Sequence, residues 1–255
     1  FPAKRVTTEL EWKDLVLDYR VSAELEEINT WIASHKTVME DWGLSRYLKA
    51  GYRALFYGPP GTGKTLAATL LGKKNKMDVY RVDLSMIVSK YIGETEKNLA
   101  KVFDMAENRN WILFFDEADA LFSKRTSTNT SNDRHANQEV AYLLQRIEDF
   151  PSTVILATNL RSNIDEAFSR RFQSVVYFPM PGEELRRELW RNMLPKKWLG
   201  RNADGLVALA AETELSGGSI TNVVRRCALQ LVMSGRKTLD ERTLKDALEK
   251  EKAKL

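Results

Sequence analysis

Gly58-Pro59-Pro60-Gly61-Thr62-Gly63-Lys64-Thr65 follows the apolar run Ala54-Leu55-Phe56-Tyr57 directly and precedes a helix-like stretch, Leu66 to Leu71. The pattern G-x-x-x-x-G-K-[ST] needs its glycines, because successive backbone N–H groups can wrap phosphates only where no Cβ intrudes. It also needs a lysine for the β/γ-phosphates and a hydroxyl for Mg²⁺, and Lys64 and Thr65 fill those places. A strand before the loop and a helix after it add the positive helix N-terminus as a seat for the anion. The expected ligands are ATP or ADP with Mg²⁺, held by Pro60, Gly61, Thr62, Gly63, Lys64, Thr65 and Leu66.

Ile112-Leu113-Phe114-Phe115-Asp116-Glu117 supplies the second motif. Four apolar residues predict a buried strand whose carboxyl end delivers two acids to the crevice where α/β sheets bind ligands. Asp116 is expected to hold Mg²⁺ through its water shell, and Glu117 to polarise the attacking water. Thr158-Asn159 ends another apolar run, Val154 to Ala157, and an Asn159 amide there can orient the same water; taken alone it is an ordinary turn asparagine. Ser169-Arg170-Arg171-Phe172 comes next. Its arginine pair has two readings, a structural salt bridge or a finger that reaches the γ-phosphate held by a neighbouring subunit.

Five short β-branched or aromatic runs (54–57, 79–82, 112–115, 154–157 and 175–178) alternate with helical patterns, which predicts an α/β layer around a mostly parallel, buried sheet. Pro179-Met180-Pro181-Gly182 punctuates the chain, and beyond it only helical patterns follow, near 183–194, 204–212, 219–234 and 240–252. The expected division is a nucleotide-binding core over 1–182, whose first 50 residues form a helical, adenine-packing segment, and a helical lid over 183–255.

Composition narrows the function classes. The 255 residues contain no uncharged run longer than the eleven from Phe172 to Gly182, short of the roughly 18 apolar residues of a membrane span. No basic region followed by an apolar one marks a signal peptide, and the opening residue, Phe1, leaves room for a preceding module. Cys227 is the sole cysteine, which excludes an intrachain disulfide and a cysteine-built metal site and favours a reducing, cytoplasmic setting. The net charge of +4 is spread through mixed segments such as 183–188, read as solvated helix faces rather than a nucleic-acid surface. His35 and His135 are too far apart to suggest a metal site.

In order and spacing, the phosphate loop, Asp116-Glu117, Ala157-Thr158-Asn159 and Arg170-Arg171-Phe172 resemble an AAA+ ATPase module of the AAA clade over essentially the whole chain. The resemblance implies a five-stranded parallel sheet of order 5-1-4-3-2 in an αβα sandwich, followed by a four-helix lid. It implies a ring, usually hexameric, with ATP between subunits. It assigns Asp14-Leu15-Val16 and the glycine turn Gly217-Gly218 to the two sides of the adenine. Two departures stand out. Arg-Arg-Phe-Gln lacks the Gly-Arg-Phe-Asp continuation of tandem-domain unfoldases and is closer to single-ring members, and no lid arginine stands at Ser219-Ile220. Residues 88–94 and 133–138 are similar to bacterial ATPases encoded with phage-tail-like contractile injection particles.

In such rings the turn Lys90-Tyr91-Ile92-Gly93 lines the central pore, and the polar stretch Ser123 to Arg134 forms a second pore loop. The alternative for Tyr91 and Ile92 is that both cap the core beneath their loop. The function expected from all this is Mg²⁺-dependent ATP hydrolysis that drives the remodelling, disassembly or unfolding of protein substrates, linked to a contractile injection particle. The alternatives are a nucleic-acid motor or loader, for which no basic, aromatic-interleaved segment appears, and a nucleotide-gated scaffold with slow hydrolysis. No H-E-x-x-H pattern marks a fused zinc protease.

Overall fold

The computed structural model describes residues 2–88, 94–122, 131–159 and 164–255. It divides into two compact units: the described parts of Phe1–Trp12, Arg20–Gly58 and Lys64–Phe178, and a second unit of Lys13–Tyr19, Pro59–Gly63 and Pro179–Leu255.

The first unit is built on a six-stranded sheet of β1 (Ala3–Val6), β2 (Tyr52–Tyr57), β3 (Val79–Asp83), β4 (Ile112–Asp116), β5 (Thr153–Thr158) and β6 (Ser174–Tyr177). Their spatial order is β1-β3-β4-β5-β2-β6. Every neighbouring pair from β3 to β6 is parallel. Counted among themselves, the five strands expected from the sequence therefore lie in the order 5-1-4-3-2. The expected all-parallel, five-stranded sheet is nevertheless corrected to a mixed, six-stranded one, because Ala3–Val6 adds an antiparallel edge strand on β3. With two charges in four residues, that strand carries too little apolar signal to read from sequence.

Helices α1 (Tyr19–Lys36), α2 (Lys64–Lys74), α3 (Leu84–Val88), α4 (Glu94–Arg109), α5 (Asp119–Phe122), α6 (Ser131–Asp149) and α7 (Glu166–Ser169) intervene between the strands. Alternate residues of a strand face opposite sides of the sheet, and Ile112, Leu113, Phe114 and Phe115 are all fully buried, so both faces of β4 are covered. Leu113 and Phe115 join one core cluster with Val102, Phe103 and Ala106 of α4 and Leu143, Leu144 and Ile147 of α6. Phe103 anchors it, with ring centroids 5.6 Å from Phe115 and 5.7 Å from Phe150.

Helices α8 (Glu183–Met193), α9 (Lys196–Leu199), α10 (Ala203–Ala211), α11 (Gly217–Ser234) and α12 (Glu241–Lys252) make up most of the second unit. Their apolar faces meet in a separate core of Trp190, Leu206, Val207, Ala210, Ile220, Val223, Cys227, Leu244 and Leu248. Capping sets the boundaries: the side chains of Ser216 and Asp240 accept from the N–H groups of Ser219 and Thr243, and Gly235, at φ 68°, closes α11 in the left-handed region. Buried Arg186 ties the unit together, donating to the carbonyls of Ala211 at 2.9 Å and Pro181 at 2.7 Å. Among the described residues, no helix is long and apolar enough to cross a membrane.

Candidate functional site

Parallel strands end on one side of a sheet, so β2, β4 and β5 bring distant residues together at their carboxyl ends. Lys64 opens α2 and is only 7% exposed, with Nζ donating to the Gly58 carbonyl at 2.8 Å. Burial pushes its ammonium down to about 8, against the opposing pull of Asp116, Asp119 and Glu117. Gly58 itself has φ 147°, and a Cβ there would run into the backbone of Phe178, so only glycine fits where β2 turns into the loop.

Asp116 uses both carboxylate oxygens: one accepts from the Glu117 N–H at 2.9 Å and the other pairs with Arg81 of β3 at 2.7 Å. Glu117 adopts φ 56°, the left-handed region that non-glycine residues rarely occupy. That bond to Asp116 holds it on one side, and on the other the Ala118 N–H donates to the Ala157 carbonyl at 3.0 Å. Burial raises the Glu117 carboxyl above its ordinary range; the negative charges of Asp116, Asp119 and Asp83 add to the rise, and Arg81 opposes it. Thr158 donates its hydroxyl to Asp119, and its carbonyl accepts from the Gly58 N–H at 3.2 Å. Asn159, the next residue, is exposed.

The donor chemistry fits Mg²⁺, which keeps several waters and takes one or two carboxylates together with phosphate oxygens. Asp116 supplies a carboxylate, and exposed Thr65 a hydroxyl on the first turn of α2. Among the described residues, no group of three or more His, Cys, Asp or Glu forms a metal cage.

The second unit contains the middle of the phosphate loop, and there the geometry is made by backbone. The Gly61 carbonyl accepts from the Gly218 N–H at 2.9 Å, and the Thr62 hydroxyl donates to the Pro59 carbonyl at 2.7 Å. Gly61 has φ 73°, and a Cβ on it would lie 2.7 Å from the Ser216 hydroxyl. Gly217 and Gly218, expected to make a turn, are instead the first residues of α11, since the Ser216 cap starts the helix before them. Asp14 ends a 3₁₀ turn, Trp12–Asp14, and is exposed; Leu15 and Val16 are half-buried, and Leu17 lies beneath Gly63.

The arginine pair divides. Arg171 pairs with Glu148 at 2.8 Å, one of the two arrangements expected for it, whereas Arg170 is exposed. Tyr91 and Ile92 lie outside the described residues, as does 123–130 of the second expected pore loop. Sequence reasoning missed Arg81, Asp83 and Asp119. Arg81 and Asp83 come to the site because β3 lies beside β4, with Asp83 opposite Asp116, and no local pattern announces which strands are neighbours. Asp119 carried a readable signal, since it stands three residues beyond Asp116.

Residues 54–180 match the ATPase family associated with various cellular activities (AAA). The proteasome-activating nucleotidase of Sulfurisphaera tokodaii is 35% identical over 211 residues, covering 78% of this chain and 53% of the relative. That of Methanocella arvoryzae is 30% identical over 77% of this chain and 49% of its own length. Cell division protein C of Sulfolobus acidocaldarius is 40% identical over 146 residues, 53% of this chain and 38% of the relative. The chain thus spans about half the length, or less, of the curated relatives it matches.

Proposed function

We propose that this chain, whose residues 54–180 are an AAA ATPase domain, hydrolyses ATP with Mg²⁺ and uses the cycle, as a ring of subunits, to remodel or unfold protein substrates. The observation that carries the catalytic part is the placement of buried Lys64, at the start of α2, with Asp116 and Glu117 at the carboxyl end of β4 and Asp119 bonded to Thr158 at the end of β5. Likeness to proteasome-activating nucleotidases supports the protein-directed part. A hexamer and a protein substrate fit that likeness. The narrower link to contractile injection particles draws no support from these relatives.

Phosphoryl transfer asks a protein for alignment and charge more than for covalent chemistry. Backbone N–H groups of 60–66 orient the phosphates, and Lys64 lies on the β/γ side. Asp116 and Thr65 would hold Mg²⁺, which would supply neutralisation of the charge that develops on the phosphates. Glu117 accepts a hydrogen bond from the attacking water, and its backbone, fixed through Asp116 and Ala157, sets the direction of that bond. Asn159 steadies the same water. An arginine from the adjacent subunit's 170–171 segment completes the charge, so an isolated subunit is a poor enzyme. Asp14, Leu15, Val16, Gly217 and Gly218 flank the base, and Tyr91 and Ile92 grip an extended chain by apolar contact and shape.

The deciding experiment loads Glu117→Gln with ATP and identifies the proteins that co-purify, with Tyr91→Ala added in a second variant. Protein clients are expected on the first and lost from the second, while ATP binding stays at the parental level. Nucleic acid in place of protein, or clients retained on both variants, would sink the remodelling reading.

A further inference from the structure

We infer that Arg53 and Glu148 are positioning residues for the arginine segment: they clamp residues 171–173, keep Arg171 inside its own subunit and leave Arg170 to reach the neighbour. The inference rests on the shared-site reading above and assigns the residues that make it geometrically possible.

Arg53 sits on β2 and is 9% exposed, a guanidinium in a place where a charge is costly unless its donors are satisfied. Two of its nitrogens are engaged, by carbonyls from separate stretches of the chain. Nε donates to the Arg171 carbonyl at 2.9 Å and a terminal nitrogen to the Glu148 carbonyl at 3.0 Å. The backbone of the same residue is also engaged: Arg53 N–H donates to the Gln173 side-chain oxygen at 2.7 Å, and Gln173 N–H donates to the Arg53 carbonyl at 2.9 Å. One residue of β2 therefore ties down a segment 118 to 120 positions later in sequence. Only a planar fork reaches two carbonyls in this way; a lysine offers a single point charge. Glu148 adds the second half of the clamp, its carboxylate taking Arg171 at 2.8 Å.

Arg170 has helical dihedrals, φ −60° and ψ −19°, and consecutive residues of a helical turn point about 100° apart. With Arg171 turned onto Glu148, Arg170 is directed elsewhere and is exposed. The arrangement is made in the sheet unit, from a strand whose other end runs into Gly58 of the phosphate loop.

The test uses the full chain in mixed assemblies. Glu148→Gln, a change at a half-exposed side chain, and Arg53→Lys are each assayed for nucleotide affinity, melting temperature and ATP turnover, alone and with an excess of Lys64→Ala subunits. The latter hold an intact arginine segment but no working site. Expected are nucleotide affinities within about two-fold of the parent and turnover lowered by about ten-fold or more, a fraction of what a whole arginine finger contributes. Turnover should then be restored by the Lys64→Ala neighbours. Parental turnover in both variants overturns the clamp, and so does a loss that intact neighbours leave unrepaired or that follows the melting temperature. Arg170→Ala separates the two layers. Parental turnover there overturns the shared-site reading along with this one, whereas a loss there beside parental Glu148→Gln and Arg53→Lys overturns the clamp alone.

Discussion

The sheet unit and the helical unit place their candidate residues by opposite means. In the sheet unit the groups are charged side chains at or just beyond strand ends, Lys64, Asp116, Glu117 and Asp119, and the acids act on the ionisation of Lys64 and Glu117. In the helical unit the contribution is backbone conformation, such as the Gly61 carbonyl on the Gly218 N–H and a helix start fixed by the Ser216 cap. Substitutions in the first unit should therefore change chemistry with little change in folding, and substitutions in the second should change conformation first.

The largest effect, and the quickest way to break the contrast, comes from Lys64→Ala beside Glu117→Gln. Lys64→Ala is expected to abolish nucleotide binding, and Glu117→Gln to keep binding while lowering turnover by about 10²- to 10⁴-fold, the range for a positioned base. Fluorescent-nucleotide titration and phosphate release read the two. Parental turnover in both variants would refute the assignment.

Gly61→Ala probes the other unit. A left-handed φ costs an alanine about 1–2 kcal/mol, and the new methyl would press on Ser216. A lower melting temperature together with weaker nucleotide binding is expected; a parental melting temperature would show that the loop relaxes freely.

Asp240→Ala sharpens the comparison from the purely conformational side. Loss of the α12 cap should cost about 1 kcal/mol in denaturant unfolding and leave turnover per assembled subunit unchanged. Hydrogen bonds from the Thr243 side chain and backbone, then the nearby Arg236 charge, hold the Asp240 carboxyl below its ordinary 3.8. Its contribution is therefore present above pH 3.8 and disappears as pH falls through the lowered native value, so the parent and the variant should converge in stability in strong acid.

The smallest effect is at Cys227, whose thiol burial pushes up to about 11. Since the thiolate is the reactive form, alkylating reagents at pH 8 should leave the folded chain unmodified and label it only on unfolding. Rapid labelling of the native protein would show that the helical core opens readily.

What could be read from sequence was whatever is contiguous. The phosphate loop is eight adjacent residues, and four apolar residues before Asp116 fix both a strand and the end at which the acid emerges. The α/β layer with helices behind it follows from the alternation of strand and helix patterns. Pairings across the sheet were illegible for a physical reason: Arg81 meets Asp116, and Arg53 meets Arg171, only once the strand order and register are known. The same ignorance left two readings open at Arg171, because its partner Glu148 lies 23 residues away on another element. Gly217-Gly218 misled in the other direction, since a glycine pair reads as a turn until a serine cap before it starts a helix.

The short strand β1 also governs how the protein behaves in concentrated solution. Ala3–Val6 occupies the free edge of β3 and presents exposed Lys4 and Arg5 outward. Charged residues on a short edge strand discourage strand-to-strand pairing between molecules. A chain cut after Val6 would keep the residues of its phosphate site and bare the unpaired N–H and C=O groups of Val79 to Val82, beside the buried apolar residues of β4. Such a truncated chain would be a template for intermolecular sheet growth, and its solubility limit would fall well before its fold did.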